Sequence, residues 1–214
     1  MKLKTTENIW LLGLFLGITG IVSALLLAVV NAKTDAPIQK AKQLAFERNL
    51  KQLLPDFEKL GAEWQANMPD GSEAIFYPAE KDGKVIAVFA KASTQKGYAG
   101  KIEVLAALDV DGKLIRMMIT EDKETPGLGK EVCARKVSRT IKNLFPDTSK
   151  LPDNAILDQY NGKDASNWPW KISKDGGEFE FRTGATVTSR AVTELTGDIV
   201  KTYTQSRASS GGGR

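Results

Sequence analysis

Residues Ile9 to Ala32 carry no charged side chain. At about 1.5 Å per residue a helix of that length spans the roughly 30 Å hydrocarbon core of a bilayer. Trp10 stands near one end of the run, where an interfacial aromatic belongs. Val30-Asn31-Ala32 also resembles a signal-peptide cleavage site, but the apolar run is longer than a usual signal core. The expectation is a membrane helix over 9–32, behind a short tail at 1–8. From Ala36 to about Phe57 the apolar residues take a helical spacing, with Ile38, Ala41, Leu44, Ala45, Leu50, Leu53 and Leu54 as one stripe. Pro55 should end that segment, a helical connector over 33–57.

Beyond the connector the pattern becomes that of strands. Ala74–Tyr77 and Lys84–Lys91 flank a turn containing Lys81-Asp82-Gly83, and Lys101–Val110 and Lys113–Thr120 flank Asp111-Gly112. An Asp-Gly pair between apolar runs is the strongest short hairpin signal. Phe179 and Phe181 alternate with Glu178 and Glu180, and a third hairpin is expected to join them to Trp170-Lys171-Ile172 through residues 173–177. Helices are expected over Lys130–Leu144 and from about Val187 or Thr188 to Tyr203–Gln205. The fold class is α+β: one domain of antiparallel strands with packed helices over 58–207, then a flexible tail at 208–214.

Composition narrows the chemistry. The net charge of the 214 residues is +4 and the charges are dispersed, which gives no case for a nucleic-acid partner. There is no histidine, which removes Ser-His-Asp and Cys-His mechanisms, histidine zinc sites and histidine-ligated haem. The single cysteine, Cys133, forms no internal disulfide, iron–sulfur site or c-type haem attachment, and reads as a small core residue. No catalytic residue and no metal ligand is expected. If this chain handles electrons, it does so with an organic cofactor.

The stretch with the most chemistry is Arg182-Thr183-Gly184-Ala185-Thr186-Val187-Thr188-Ser189-Arg190, a tight turn into a helix. Thr186 or Thr188 can cap that helix, which is what such turns usually do. The helix start also favours a phosphate through its free N–H groups, and a hydroxyl aimed there can be esterified by one. Glu124-Thr125-Pro126-Gly127-Leu128-Gly129 sets polar backbone beside a leucine, which suits the edge and face of a ring system or serves as a plain connector. Tyr98, between glycines in Gly97-Tyr98-Ala99-Gly100, is a ring wall or a surface aromatic. Trp168 and Trp170 read as core.

Taken together, GYAG, ETPGLG, KDGG and TGATVTSRAV behind one apolar N-terminal segment resemble the RnfG family, the G subunits of Rnf electron-transport complexes, over nearly the whole chain. The resemblance implies FMN bound covalently, through a phosphoester to the last threonine of the TGAT motif, Thr186. It implies a cofactor site of Thr183, Gly184, Ala185, Thr186 and Thr188, with the ring against Leu128 and the Thr125-Pro126-Gly127 backbone, and with Tyr98, Glu124 and Lys174 as further contacts. A flavin transferase would use FAD and a metal ion to load Thr186. The transferase pattern usually has Asp three residues before the first Ser or Thr of the motif; Glu180 stands there, keeping the charge on a side chain one methylene longer.

The implied function is that of a membrane-anchored electron carrier in an ion-translocating ferredoxin:NAD oxidoreductase. Its implied partners are the membrane subunits and the second covalent-flavin subunit of that complex. The implied place is the cytoplasmic (inner) membrane, single-pass, with the flavin domain on the periplasmic side. Counting positives alone leans the other way, since Lys33, Lys40, Lys42, Arg48 and Lys51 follow the apolar run and only Lys2 and Lys4 precede it. The NqrC family, the C subunits of sodium-translocating NADH:quinone oxidoreductases, has the same anchor, motif and flavin, and the short spacer before the first strand favours Rnf. A non-redox, membrane-tethered binding module using the turns only structurally is the alternative from another class.

Overall fold

A computed structural model describes residues 9–135 and 151–211. The chain forms two compact units, Met1–Arg48 and Asn49–Arg214. Helix α1 (Ile9–Leu53) runs unbroken through the 32/33 position and through Pro37. In the first unit its apolar residues Trp10, Leu11, Leu12, Leu14, Phe15 and Leu16 are all exposed, so the helix is apolar on every side. It is the one helix among the described residues long and apolar enough to cross a membrane. The stripe expected downstream is not buried as one face: Ile38 and Leu44 are exposed, and burial begins at Leu50 and Leu53. The helix stops at Leu53, two residues before Pro55.

The second unit is built on a six-stranded antiparallel sheet of β1 (Lys59–Leu60), β2 (Trp64–Asn67), β3 (Glu73–Lys81), β4 (Lys84–Gly97), β5 (Gly100–Asp109) and β6 (Leu114–Asp122). The order is β1-β3-β4-β5-β6, with β2 also on β3. Two of the three expected hairpins form. Lys81 pairs with Lys84 across Asp82-Gly83, and Leu108 pairs with Leu114 across the Asp111-Gly112 turn, where Asp109 Oδ1 accepts the N–H groups of Asp111 and Lys113. Strands β1 and β2 carry too few residues to show a period.

Alternation sorts the sheet residues. Val88, Ala90 and Ala92 of β4 and Ile102, Val104, Ala106 and Leu108 of β5 belong to one large cluster. Phe89, Leu105 and Ala107, at the intervening positions, are buried outside it, and Phe57 meets Phe89 edge-on at 5.1 Å. Helix α4 (Thr186–Gly211) lies on the cluster side of the sheet and buries Val192, Leu195, Ile199, Val200 and Tyr203 there. It continues through Gly211, so a tail beginning at Ala208 is corrected for residues 208–211.

Two further expectations change. Residues 170–181 do not form a hairpin. Ile172 and Phe179 make one isolated parallel bridge around a 3₁₀ turn at Ser173–Asp175. Here packing overrides alternation: Trp170, Phe179 and Tyr160 form one aromatic group with ring centroids 4.9–5.8 Å apart. The helix expected over Lys130–Leu144 is the short α2 (Gly129–Cys133), and residues 136–150 lie outside the described ones. Asn154, the N-cap of α3 (Ala155–Asp158), closes α2 by donating its amide to the carbonyls of Val132 and Ala134.

Candidate functional site

Three segments from distant parts of the chain converge at the start of α4. The first is the β4–β5 turn, where Gly97 pairs with Gly100 and Tyr98 stands at the tip, 73 % exposed. The second is the loop from β6 into α2, residues 123–128. The third is the Thr183-Gly184 turn leading into α4. Gly184 sits at φ +85°, a left-handed conformation that costs other residues about 1–2 kcal/mol. A Cβ there would also come within 3.2 Å of Leu128.

The segments enclose a cleft of about 430 Å³, within the range of small-ligand sites. Tyr98, Glu124, Thr125, Leu128, Gly184, Ala185, Thr186 and Thr188 line it together with Gly129 and Val187. The structure therefore gathers eight of the residues proposed from sequence around one space. Gly127 and Thr183 adjoin lining residues in the chain but do not line the cleft themselves. Lys174 does not line it either: it belongs to the Ser173–Asp175 turn, whose Asp175 pairs with Arg190 of α4 at 2.5 and 2.9 Å. Val187 and Gly129 were not singled out from sequence as site residues. Their signal was adjacency, Val187 to Thr186 and Gly129 to Leu128.

The cleft is apolar at its mouth and polar beneath. Leu128 is 46 % exposed and Val187 42 %, and with Tyr98 they leave an uncovered apolar surface. Below them Glu124 is 5 % exposed. Its Oε2 accepts the Thr188 hydroxyl at 2.8 Å and its Oε1 accepts the Ala99 N–H at 3.2 Å. Thr188 is therefore a side chain within the helix that donates to Glu124 and does not cap it. Thr186 is the first helical residue, and its hydroxyl has no hydrogen-bond partner among the described residues. The start of α4 is held instead by Ser189, whose Oγ accepts the Arg182 N–H and donates to the Ala185 carbonyl.

A cation ties down the loop floor: Lys130 Nζ lies 2.7 Å from Asp122, whose other oxygen accepts the Glu124 N–H. Cys133 is buried, and its burial, with Asp122 and Glu124 nearby, pushes the thiol up to about 12. It stays protonated and is no nucleophile. Among the described residues no group of His, Cys, Asp and Glu is arranged to hold a metal ion.

The residues present fit a flavin mononucleotide. Leucine, valine and tyrosine offer apolar surface to a ring, the residue 125–128 backbone offers polar edges, and an unbonded hydroxyl stands where a helix start favours phosphate.

Comparison with known proteins places the chain in a family. The FMN-binding domain family matches residues 97–201, from the β4–β5 turn into α4, and so spans every lining residue. The G subunit of the ion-translocating oxidoreductase complex of Photorhabdus laumondii is 32 % identical over 187 residues, covering 84 % of this chain and 83 % of its own length. The corresponding G subunits of Pseudomonas aeruginosa and Shewanella loihica are 30 % and 29 % identical, each covering at least 89 % of this chain and 85 % of its own length. The chain belongs to the RnfG family, the G subunits of ion-translocating oxidoreductase complexes.

Proposed function

We propose that this chain is the membrane-anchored electron-carrying subunit of an ion-translocating oxidoreductase complex of the Rnf type, with FMN joined by a phosphoester to Thr186. The observation that carries the reading is the state of Thr186. Its hydroxyl is unbonded among the described residues, on the first turn of α4, in a cleft that lies within the span of the FMN-binding family match.

Each residue then has a task. Thr186 is the acceptor: its Oγ bonds to the phosphorus that carries the flavin in FAD, the pyrophosphate P–O bond to AMP breaks, and AMP leaves. The hydroxyl proton passes to a base of the transferase. Gly184 and Ala185 keep the turn small, so that a transferase reaches the hydroxyl. The first-turn N–H groups of α4 stabilise the phosphate charge. Leu128, Val187 and Tyr98 would provide the apolar surface for the ring, and the backbone of Thr125 to Gly127 would offer polar groups to its edge. Bound FMN supplies reversible one- and two-electron transfer, and the covalent tether keeps it from diffusing away between partners. The cleft opens to solvent at Tyr98, Leu128 and Val187, which allows a neighbouring subunit to approach closely. Lys174 and Thr183, which do not line the cleft, are given no part.

The remaining assignments follow the resemblance. Helix α1 crosses the cytoplasmic membrane once over its uncharged part, and the domain from about residue 58 to 207 stands on the periplasmic side. Its partners there are the membrane subunits and the second covalent-flavin subunit of the complex. Glu180 takes the acidic position of the transferase pattern and is exposed, with its N–H and carbonyl bonded to the Gln159 amide at 2.6 and 3.0 Å.

Peptide mass spectrometry of the full chain co-expressed with a flavin transferase tests the reading. The expected result is one FMN, less water, on the peptide holding Thr186, absent in Thr186→Ala. An unmodified peptide from a chain exposed to active transferase would overturn it and favour a non-redox binding module.

A further inference from the structure

The carboxylate beneath the cleft does more than the resemblance assigns to it. Three walls meet at Glu124. Its Oε1 accepts from the β4–β5 turn at Ala99, its Oε2 accepts from the first turn of α4 at Thr188, and it belongs itself to the third wall. Two glycines make room for it. A Cβ on Gly97 would stand 2.8 Å from Oε1, and one on Gly129 would overlap Oε2 and lie 2.7 Å from Thr188 Oγ1. A carboxylate only accepts hydrogen bonds, and both of its oxygens are engaged by the protein. Burying such a group is costly unless donors surround it, so an acid kept here implies a geometric task that a leucine would not perform.

We infer that Glu124 is the positioning residue of the cleft: a clasp that sets the Tyr98 turn, the Leu128 loop and the Thr186 turn at fixed spacing, and is not itself a contact of the flavin. The inference rests on the reading of the cleft as a flavin site. Without the clasp, Ala99 N–H and Thr188 O–H lose their acceptor together, the apolar walls part, and Thr186 is no longer held at one position for the transferase. Polar recognition of the ring then falls to the backbone of residues 125–128.

The test uses the full chain co-expressed with transferase, wild type beside Glu124→Ala, Glu124→Gln, Thr188→Val and Leu157→Ala. Leu157 is fully buried in α3 outside the cleft, and its truncation controls for lost stability alone. Flavin on Thr186 is quantified by peptide mass, and fluorescence anisotropy is read on the labelled fraction. Glu124→Ala should lower labelling about tenfold and Thr188→Val several-fold, as expected for a buried hydrogen bond left half-made. Their residual flavin should show the lower anisotropy of a freely rotating ring. Glu124→Gln should recover labelling to within about twofold, because its amide oxygen still accepts from Ala99 and its NH₂ donates to Thr188 Oγ1. Labelling and anisotropy at wild-type level in Glu124→Ala and Thr188→Val overturn the clasp. So does a loss no greater than that of Leu157→Ala at matched melting temperature. An unlabelled wild-type chain instead overturns the flavin reading on which the clasp rests.

Discussion

Helix α4 carries the same side chain in two roles. In its body every threonine hydroxyl has a partner: Thr193 bonds Ser189 O and Tyr160, Thr196 bonds Val192 O, Thr202 bonds Asp198 O and Thr204 bonds Val200 O. Thr188, in the first turn, bonds Glu124. Thr186, two positions earlier, bonds nothing among the described residues. The apolar residues invert in the same way. Val192 and Val200 are fully buried, while Val187 stays exposed beside Leu128. One helix thus holds a stretch in which polar groups are satisfied and apolar ones covered, and a tip, Thr186 and Val187, where neither holds. Thr186 is half-buried and Val187 exposed, so this end carries less of the fold than the body does. The body keeps the fold, and on the function proposed above the first turn takes the ligand.

The largest expected effect lies in the body. Trp170 stacks on Tyr160 at 5.8 Å, meets Phe179 at 4.9 Å, and lies so close to α4 that a Cβ on Gly197 would stand 2.8 Å from its ring. Trp170→Ala should lower unfolding free energy by about 3–5 kcal/mol in urea titrations. A loss under about 1 kcal/mol would mean that α4 is not anchored there, and the contrast between body and tip would fail.

Thr193→Val comes next and asks whether a satisfied threonine matters. It leaves the Tyr160 hydroxyl, now 2.7 Å from Thr193 Oγ1, buried without that partner. Burial pushes that hydroxyl up to about 12, so it stays protonated, with the Gln159 side chain as its remaining partner. The expected cost is about 1–3 kcal/mol. No measurable change would show that a water or a side-chain shift repairs the site, and would weaken the distinction drawn from hydrogen bonds.

A smaller effect should appear in acid, away from the cleft. Burial raises the Asp158 carboxyl, but hydrogen bonds from Arg135, at 2.7 Å, and from the Asn154 N–H more than offset this and hold it below its ordinary value. A depressed carboxylate adds stability at pH values above its unfolded value. That contribution fades as pH falls through the folded one. Wild type should therefore exceed Asp158→Asn in melting temperature above about pH 4, with the gap closing toward pH 2. A gap that is constant with pH would assign the difference to shape and not to charge. Flavin labelling of Thr186, measured at neutral pH, should be the same in both.

Parts of this picture are legible in the sequence for definite reasons. Asp82-Gly83 and Asp111-Gly112 fix two hairpins locally, and the α4 stripe repeats often enough to show its period. Residues 178–181 misled, because alternation over four positions is outweighed by the packing of Phe179 on Trp170 and Tyr160. Helix α2 ends early because an asparagine 20 residues on takes the carbonyl of Ala134, which no local pattern announces. The cleft divides likewise. Its glycine turns and Thr186 are local signals. The Glu124 clasp joins residues 25 and 64 positions away, so its partners are visible only once the sheet and α4 are assembled.

The smallest stability effect belongs to Thr186→Val. Valine keeps the branched shape and removes only the hydroxyl, which has no partner among the described residues, so unfolding free energy should stay within about 0.5 kcal/mol of wild type. Set beside Thr193→Val, the identical substitution seven residues on, it isolates the comparison: one hydroxyl is bonded within the fold, and the other has no partner among the described residues. Apo chains must be compared, because a flavin held on Thr186, as proposed, would stabilise the wild type and not the variant. With flavin loaded, the wild type should gain melting temperature and Thr186→Val should not. If the apo variant lost as much as Thr193→Val does, the Thr186 hydroxyl would have a structural partner after all, and its availability for a phosphoester would no longer follow from its surroundings.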